Sequence, residues 1–235
     1  MYQDRILYTD DHLLVVNKLA GELTVAAGGA ASSGKSVGGR SFAPKRTHQD
    51  SKQPFFDFLK REHPGLKVVH RLDFGTSGVL VFAKSAAAVA NIRESKFGGW
   101  KKTYRAIVAG DIVRPAGTIR AQLKARTHEG MVDALTEYKT LARTPVCSDV
   151  EAIIATGRKH QIRQHFAGIG HPLVLDPLYG NPKKDRAFRR AYRYRRFLLH
   201  AWKLSFPHPV TGKQIEVEAP LPKPFQEVAD GMRAV

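Results

Sequence analysis

At 235 residues with a 43% apolar fraction, the chain is long enough to bury a substantial core and has the make-up of an ordinary globular protein. Its charge is not ordinary: 38 Lys and Arg against 21 Asp and Glu give a formal net charge of +17, which argues for a polyanionic partner, nucleic acid ahead of a membrane. No apolar run approaches the length of a membrane span, the start MYQDRILYTDDHLLVV lacks the basic region of a secretory leader, and the lone Cys147 leaves no internal disulfide, so a cytoplasmic setting is expected.

In chain order, residues 6–9 and 13–18 read as two short strands around a turn at Asp10-Asp11-His12, the second ending in Asn17-Lys18. Residues 27–52, rich in Gly, Ser and basic side chains, predict a loop inside a single domain spanning 1–235. A solvated insertion and a segment that orders on RNA fit that composition equally. Phe55–Glu62 predicts a short helix closed by Pro64-Gly65. Val68–Asp73 and Val79–Ala83 read as strands bracketing a turn that holds Gly75 and Gly78. Residues 86–97 predict a helix with Val89, Ile92 and Lys96/Phe97 on one face, ended by Gly98-Gly99.

Thr103–Ala109 alternates as a strand with Tyr104, Ala106 and Val108 on one side, and strands follow over 118–142 and 148–155. His160–Phe166 predicts a helix with Ile162, Phe166 and Ile169 on its buried stripe. Strands near 197–206 and 213–218 finish the chain. Many strands with few helices, in no regular βαβ order and with no internal repeat, predict an α+β fold with a largely antiparallel mixed sheet and flanking helices.

Three stretches concentrate chemistry. The first is His70-Arg71-Leu72-Asp73-Phe74-Gly75-Thr76-Ser77-Gly78. In an extended strand Arg71 and Asp73 share a face, and a carboxylate followed by Gly and small hydroxyls sits where backbone can approach a ligand closely. A local Arg–Asp pair capping a turn fits the same residues. The second is Thr156-Gly157-Arg158-Lys159-His160-Gln161-Ile162-Arg163-Gln164-His165, basic and amide groups at a helix start. Helical spacing puts His160 and Arg163 on one face, so Arg163 could make a two-pronged pair with a distant carboxylate; plain phosphate contact or a solvated face fits too. The third, RAFRRAYRYRR at 186–196, gathers Arg186, Arg189/Arg190, Arg193 and Arg196 on one predicted helical face with Phe188 and Tyr192 paired, a pattern that can grip phosphates and stack on bases; a merely solvated helix fits the same residues.

Other chemistries lack their residues. His160 and His165 are five apart and cysteines are not paired, against a metal site. The Gly-rich run at 28–39 holds no nucleotide-binding spacing, and Gly75-Thr76-Ser77-Gly78 is not a serine nucleophile elbow. What remains is an acid working with arginines and no cofactor.

These stretches resemble the RluA-type family of pseudouridine synthases, from about Ile6 to Pro222. HRLDFGTSG resembles the signature around its catalytic aspartate, Lys102-Thr103-Tyr104-Arg105-Ala106 its tyrosine motif, TGRKHQIRQH with Gly170-His171-Pro172 and Tyr179-Gly180 its arginine motif, and Leu198-Leu199-His200-Ala201 with Pro207-His208-Pro209 its closing strand pair. The resemblance implies the pseudouridine synthase fold around a central cleft, and an isomerase of ribosomal or transfer RNA that works without metal or cofactor, typically as a monomer. It implies Asp73 as nucleophile, Arg71 as the side chain that fills the stack left by the target base, Tyr104 stacked on the flipped uracil and assisting proton removal, Arg163 paired with Asp73, and Leu199 lining the base pocket. His70, Thr76, Arg158 and His160, from the same motifs, are expected to contact substrate, and Arg189, Arg190, Arg193 and Arg196 to bind RNA. Attack at the ribose, attack at the base ring and removal of a ribose proton are all compatible with these residues. Leu19 and Leu175 depart from a usual proline and glycine, and Lys159 from a common threonine; the N-terminal RNA-binding domain of many relatives is not expected. A non-catalytic RNA-binding or ribosome-assembly protein on the same fold is the alternative, with the intact Asp73, Tyr104 and Arg163 favouring the enzyme.

Overall fold

The computed structural model describes residues 2–25, 54–125 and 130–233, so the loop expected at 27–52 lies outside the described residues. β1 (Ile6–Thr9) and β2 (Leu13–Lys18) form the expected hairpin. Asp10 makes its turn, one carboxylate oxygen accepting the N–H groups of His12 and Leu13 at 2.7 Å each. α1 (Phe55–Glu62) matches its predicted span. β3 is only Lys67–Val68, paired to β4 (Ser77–Ala83). The strand expected over 68–73 is thus corrected: the chain leaves the sheet after Val68 and turns, with the Thr76 N–H bonded to the Asp73 carbonyl at 3.0 Å.

α2 (Ala86–Glu94) is capped by Ser85, whose Oγ accepts the Ala88 N–H. It ends earlier than expected because Lys96 and Phe97 turn into the left-handed region, at φ 48° and 64°. β5 (Lys101–Ala109), β6 (Ala116–Lys124), β7 (Met131–Arg143) and β8 (Cys147–Ile154) follow, then α3 (Gln161–Gly168), α4 (Pro182–Tyr192), β9 (Leu199–Pro207), β10 (Gln214–Glu218) and α5 (Lys223–Arg233). α5 stands where no element was expected.

Among the described residues one sheet runs β1-β2-β4-β9-β5-β8-β7-β6, with β3 on β4 and β10 on β9. Its strand pairs are antiparallel except β4 with β9, where Ser77 faces His200 and Gly78 faces Ala201. That central join explains one glycine. Gly78 has φ +109°, and a Cβ there would lie 2.1 Å from the Ala201 carbonyl oxygen, so only glycine lets the two strands close. Helices cover both faces. α2 and Trp100 pack on one face of β2 and β4, and α1 through Phe55 and Leu59 on the other. Ala106 and Val108 of β5 face Ile162 and Phe166 of α3, while Ile107 and Ala109 face Phe188 of α4 and Phe225 and Met232 of α5. The strand alternation read from the sequence therefore holds, with both sides buried. Ile169 is the exception on α3: it follows the helix and is 41% exposed. Among the described residues no helix is long and apolar enough to cross a membrane.

Candidate active site

The turn between β3 and β4 carries Asp73, and Lys18, Gly21, Thr24 and Phe197 shape it. Lys18, wholly buried at the end of β2, sends its Nζ to the carbonyls of Thr76 at 2.7 Å, Leu19 at 3.1 Å, Asp73 at 3.2 Å and Phe74 at 3.4 Å. Burial lowers the Lys18 pKa to about 8, so the ammonium remains charged at neutral pH and gathers these oxygens. The Gly21 N–H donates to the Phe74 carbonyl, and the Thr24 hydroxyl to that of Leu72. A Cβ on Gly75 would meet the Phe197 ring at 2.3 Å.

α3 supplies the partner. Arg163 is buried, and its Nη1 donates to Asp73 Oδ2 at 3.1 Å. Its two-pronged pair is made with another acid: Nε and Nη2 donate to Asp176 at 2.6 and 2.7 Å. Burial opposes the charge of Arg163, but the hydrogen bonds and charge of Asp176, then those of Asp73, raise its pKa overall. Burial likewise pushes Asp176 up, and Arg163 with the Leu178 and Tyr179 N–H groups more than offsets it, so its pKa is lowered. The guanidinium also lies between the rings of Phe197 and Tyr179, 5.1 and 5.2 Å from their centroids. Arg163 is thereby immobilised before any substrate arrives.

His160 does not begin the helix as expected; it precedes it in the left-handed conformation, φ 54°. Its Nε2 still comes within 3.6 Å of Asp73 Oδ1, and its Nδ1 within 3.1 Å of the Tyr179 hydroxyl. Burial is the largest cause of its lowered pKa, so the ring meets Asp73 neutral. Gln161 ties this segment to the sheet, donating to the Leu135 carbonyl and accepting from Thr156 and the Arg158 N–H.

Asp73, Arg71, Thr76, Tyr104, Arg158, His160, Arg163 and Leu199 all line one cavity of about 80 Å³, room on the order of five waters and so the scale of one flat ring. Asp73 is the one carboxylate among the described residues lining it. That leaves no opposed acid for a sugar-cleaving hydrolase. Arg71 is exposed at the mouth. Burial, and then the nearby Asp73 charge, push the Tyr104 phenol far up, so it stays protonated at neutral pH. His70 does not join the site. Its Nε2 accepts the Val81 N–H at 3.0 Å and its ring packs edge-on against Trp100.

The arginine cluster is also redrawn. α4 ends at Tyr192 and Arg193 caps it at φ 52°, so Arg196 is not on the helix. Phe188 and Tyr192 do stack, at 5.0 Å between centroids, but Phe188 is buried in the core and unavailable to a base. Arg189, Arg193 and Arg195 instead surround Tyr194 on the surface, while Arg196 reaches the Gly21 segment that props the Asp73 turn.

Three residues escaped the sequence reading of this site. Lys18 and His200 act through partners more than fifty residues away, Asp73 and Thr76 for the one and Ser77 for the other, and Asp176 through Arg163 on the preceding helix. His200 is buried, with Nδ1 2.8 Å from the Ser77 hydroxyl and Nε2 3.1 Å from the Ala219 carbonyl, so it pins the parallel join under the cavity. Burial holds its pKa at about 4. Between pH 6.5 and 4 the unfolded chain takes up a proton that the folded state refuses, so this share of stability is complete above pH 6.5 and is lost as pH falls toward 4. We expect about 2 to 3 kcal/mol less stability at pH 4.5 than at pH 7 from this group. Urea unfolding at both pH values checks it: His200→Gln should show a clearly smaller loss than the wild type, and an equal loss would discharge His200.

Comparison with known proteins follows the same lines. Residues 12–168 match the family model described as RNA pseudouridylate synthase. The chain is 34% identical to ribosomal large subunit pseudouridine synthase D of Xanthomonas campestris, over 97% of this chain and 69% of the relative. It is 32% identical to ribosomal large subunit pseudouridine synthase C of Salmonella typhi, over 98% and 70%. Among solved structures, human RNA pseudouridylate synthase domain containing 4 superposes with TM-score 0.72 at 22% identity, over 99% of this chain and 94% of that one. Human RNA pseudouridylate synthase domain containing 1 gives TM-score 0.67 at 25% identity, over 98% and 95%. The first of these supports the fold alone. With the matched region running from β2 through α3 and enclosing Asp73, Tyr104 and Arg163, the chain belongs to the RluA-type family of RNA pseudouridine synthases.

Proposed function

We propose that this enzyme converts uridine to pseudouridine in large-subunit ribosomal RNA, in the cytoplasm, with Asp73 as its nucleophilic carboxylate. One observation carries the residue assignment: Arg163 holds Asp73 at 3.1 Å in a cavity that offers no second acid among the described residues. The names of the two curated relatives support the ribosomal substrate.

The chemistry sets the demands. The N1–C1′ bond of uridine breaks, a C5–C1′ bond forms, and the proton lost from C5 is balanced by one gained at N1, so no oxidant, reductant or energy source enters. The base must first leave its stack, at a cost of a few kcal/mol. Arg71 then fills the gap, a reading supported by its exposure beside the cavity. Tyr104 and Leu199 then flank the ring, and Asp73 attacks from the turn that Lys18 braces, its transient bond to the substrate breaking again before the product leaves so that the free carboxylate is restored. Because Arg163 is already locked to Asp176, little reorganisation is needed when charge develops.

Chemical mapping of pseudouridine in ribosomal and transfer RNA, from cells with and without the gene, tests the substrate. Loss of one or more large-subunit sites is the expected result. Loss confined to transfer RNA, or no loss, would overturn it. The surface arginines should act on affinity alone: replacing Arg189, Arg190 and Arg193 by Ala should weaken RNA binding and flatten its log–log salt dependence by roughly 2 to 3. A salt slope equal to the wild type would remove that cluster from the RNA contact.

A further inference from the structure

We propose that the Thr76 hydroxyl is the fixed hydrogen-bond partner of the uracil ring, holding the detached base while it turns over between bond breaking and bond making. The proposal rests on the pseudouridine synthase reading and names a contact within it. Thr76 is 2% exposed and lines the catalytic cavity with Asp73, Tyr104 and Leu199. Its backbone is fixed from two sides, the N–H on the Asp73 carbonyl and the carbonyl on Lys18 Nζ. Yet its Oγ1 is buried with no hydrogen-bond partner among the described residues. A buried hydroxyl left unpaired is costly, and few are tolerated in folded proteins without a reason. Thr76 itself lines the cavity that the base must enter.

The reaction explains why a hydroxyl suits that place. Moving the sugar from N1 to C5 requires the free ring to turn half a revolution about the line through N3 and C6. That operation exchanges N1 with C5 and O2 with O4, and leaves N3–H where it was. A hydroxyl both donates and accepts. Set near a carbonyl, it meets an equivalent carbonyl after the turn; set near N3–H, it keeps the same partner throughout. An ammonium or guanidinium would be tied to one polarity. Lys18 cannot take the role, since its ammonium is engaged with the turn carbonyls, and three of the five Arg163 donors are already on Asp176 and Asp73.

Thr76→Val and Thr76→Ser separate this from a structural role. Valine keeps the shape and removes the hydroxyl, so the free protein should unfold at the same or higher temperature than the wild type. Its kcat should fall about 10- to 100-fold, as expected when a site loses a hydrogen bond to its substrate, while the Kd for RNA, set by phosphate contacts, should change less than about two-fold. Serine should restore most of kcat. A lower melting temperature for Thr76→Val would show that the hydroxyl already has a partner in the free protein and would overturn the proposal. So would unchanged turnover. Absence of turnover in the wild type would instead remove the enzymatic reading beneath it.

Discussion

Asp73→Asn is expected to lower the rate of uridine conversion by about 10⁴-fold or more while leaving RNA affinity within about two-fold, since removing a covalent nucleophile removes the route itself whereas affinity comes mainly from phosphate contacts. The substitution is nearly isosteric. The new amide would still accept from Arg163 through its oxygen, and the turn depends on backbone oxygens rather than on this side chain. Folding should therefore survive, and a thermal melt close to that of the wild type is part of the prediction. Nucleoside composition after complete digestion of treated RNA measures the rate; a decrease of only a few-fold would mean that the carboxylate is a bystander.

The second large effect lies one layer beneath. Asp176 is buried, holds Arg163 with two hydrogen bonds and accepts the Leu178 and Tyr179 N–H groups. Removing its charge leaves a buried guanidinium with Asp73 as its remaining anion. Breaking one side of such a pair typically costs about 3 to 5 kcal/mol, whereas replacing both sides by apolar groups of similar size can be nearly neutral. Asp176→Asn should thus destabilise the fold by about 3 kcal/mol and slow conversion, because Arg163 no longer has a fixed aim. Arg163→Met combined with Asp176→Asn removes the stranded charge while the Asn oxygen still accepts the Leu178 and Tyr179 N–H groups, so it should regain much of the stability and none of the activity. Urea unfolding and conversion assays on the variants decide this: a double variant as unstable as Asp176→Asn would refute the burial argument, and an active one would refute the role of Arg163.

The legible and illegible parts of the sequence differ for physical reasons. The hairpin over 6–18 and the helix at 55–62 were legible because turn chemistry and periodicity agreed there. At 69–73 they disagreed. Val68-Val69-His70 alternates like a strand, but the carbonyls beyond it are claimed by Lys18, Thr24 and Gly21, and the backbone follows those partners out of the sheet. Position 160 illustrates the same limit, since a left-handed histidine has no sequence signal of its own. α5 was legible and missed: Phe225, Val228, Ala229 and Met232 recur at helical spacing and all are buried.

Within the site, the motif residues were readable singly, and the Asp73–Arg163 pair came from the family resemblance. Asp176 was not, because nothing local separates an acid that braces an arginine from an acid on the surface. Leu175 is instructive in a different way. Where relatives usually carry glycine it keeps the left-handed backbone at φ 61°, its side chain buried in the core beside α4 and its N–H on Asp185. The departure leaves the loop intact because burial offsets the strain. Leu19 also has a use: its N–H reaches Glu22, a bond proline would lack.

The central claim is that Asp73 drives an isomerisation that detaches hydrogen from C5 of uridine. It is met most directly by releasing tritium from ribosomal RNA labelled at C5 of uridine, with wild type and Asp73→Asn compared at equal RNA occupancy. The account predicts one tritium released per pseudouridine formed by the wild type and none above background from the variant. Equal release from both would contradict it.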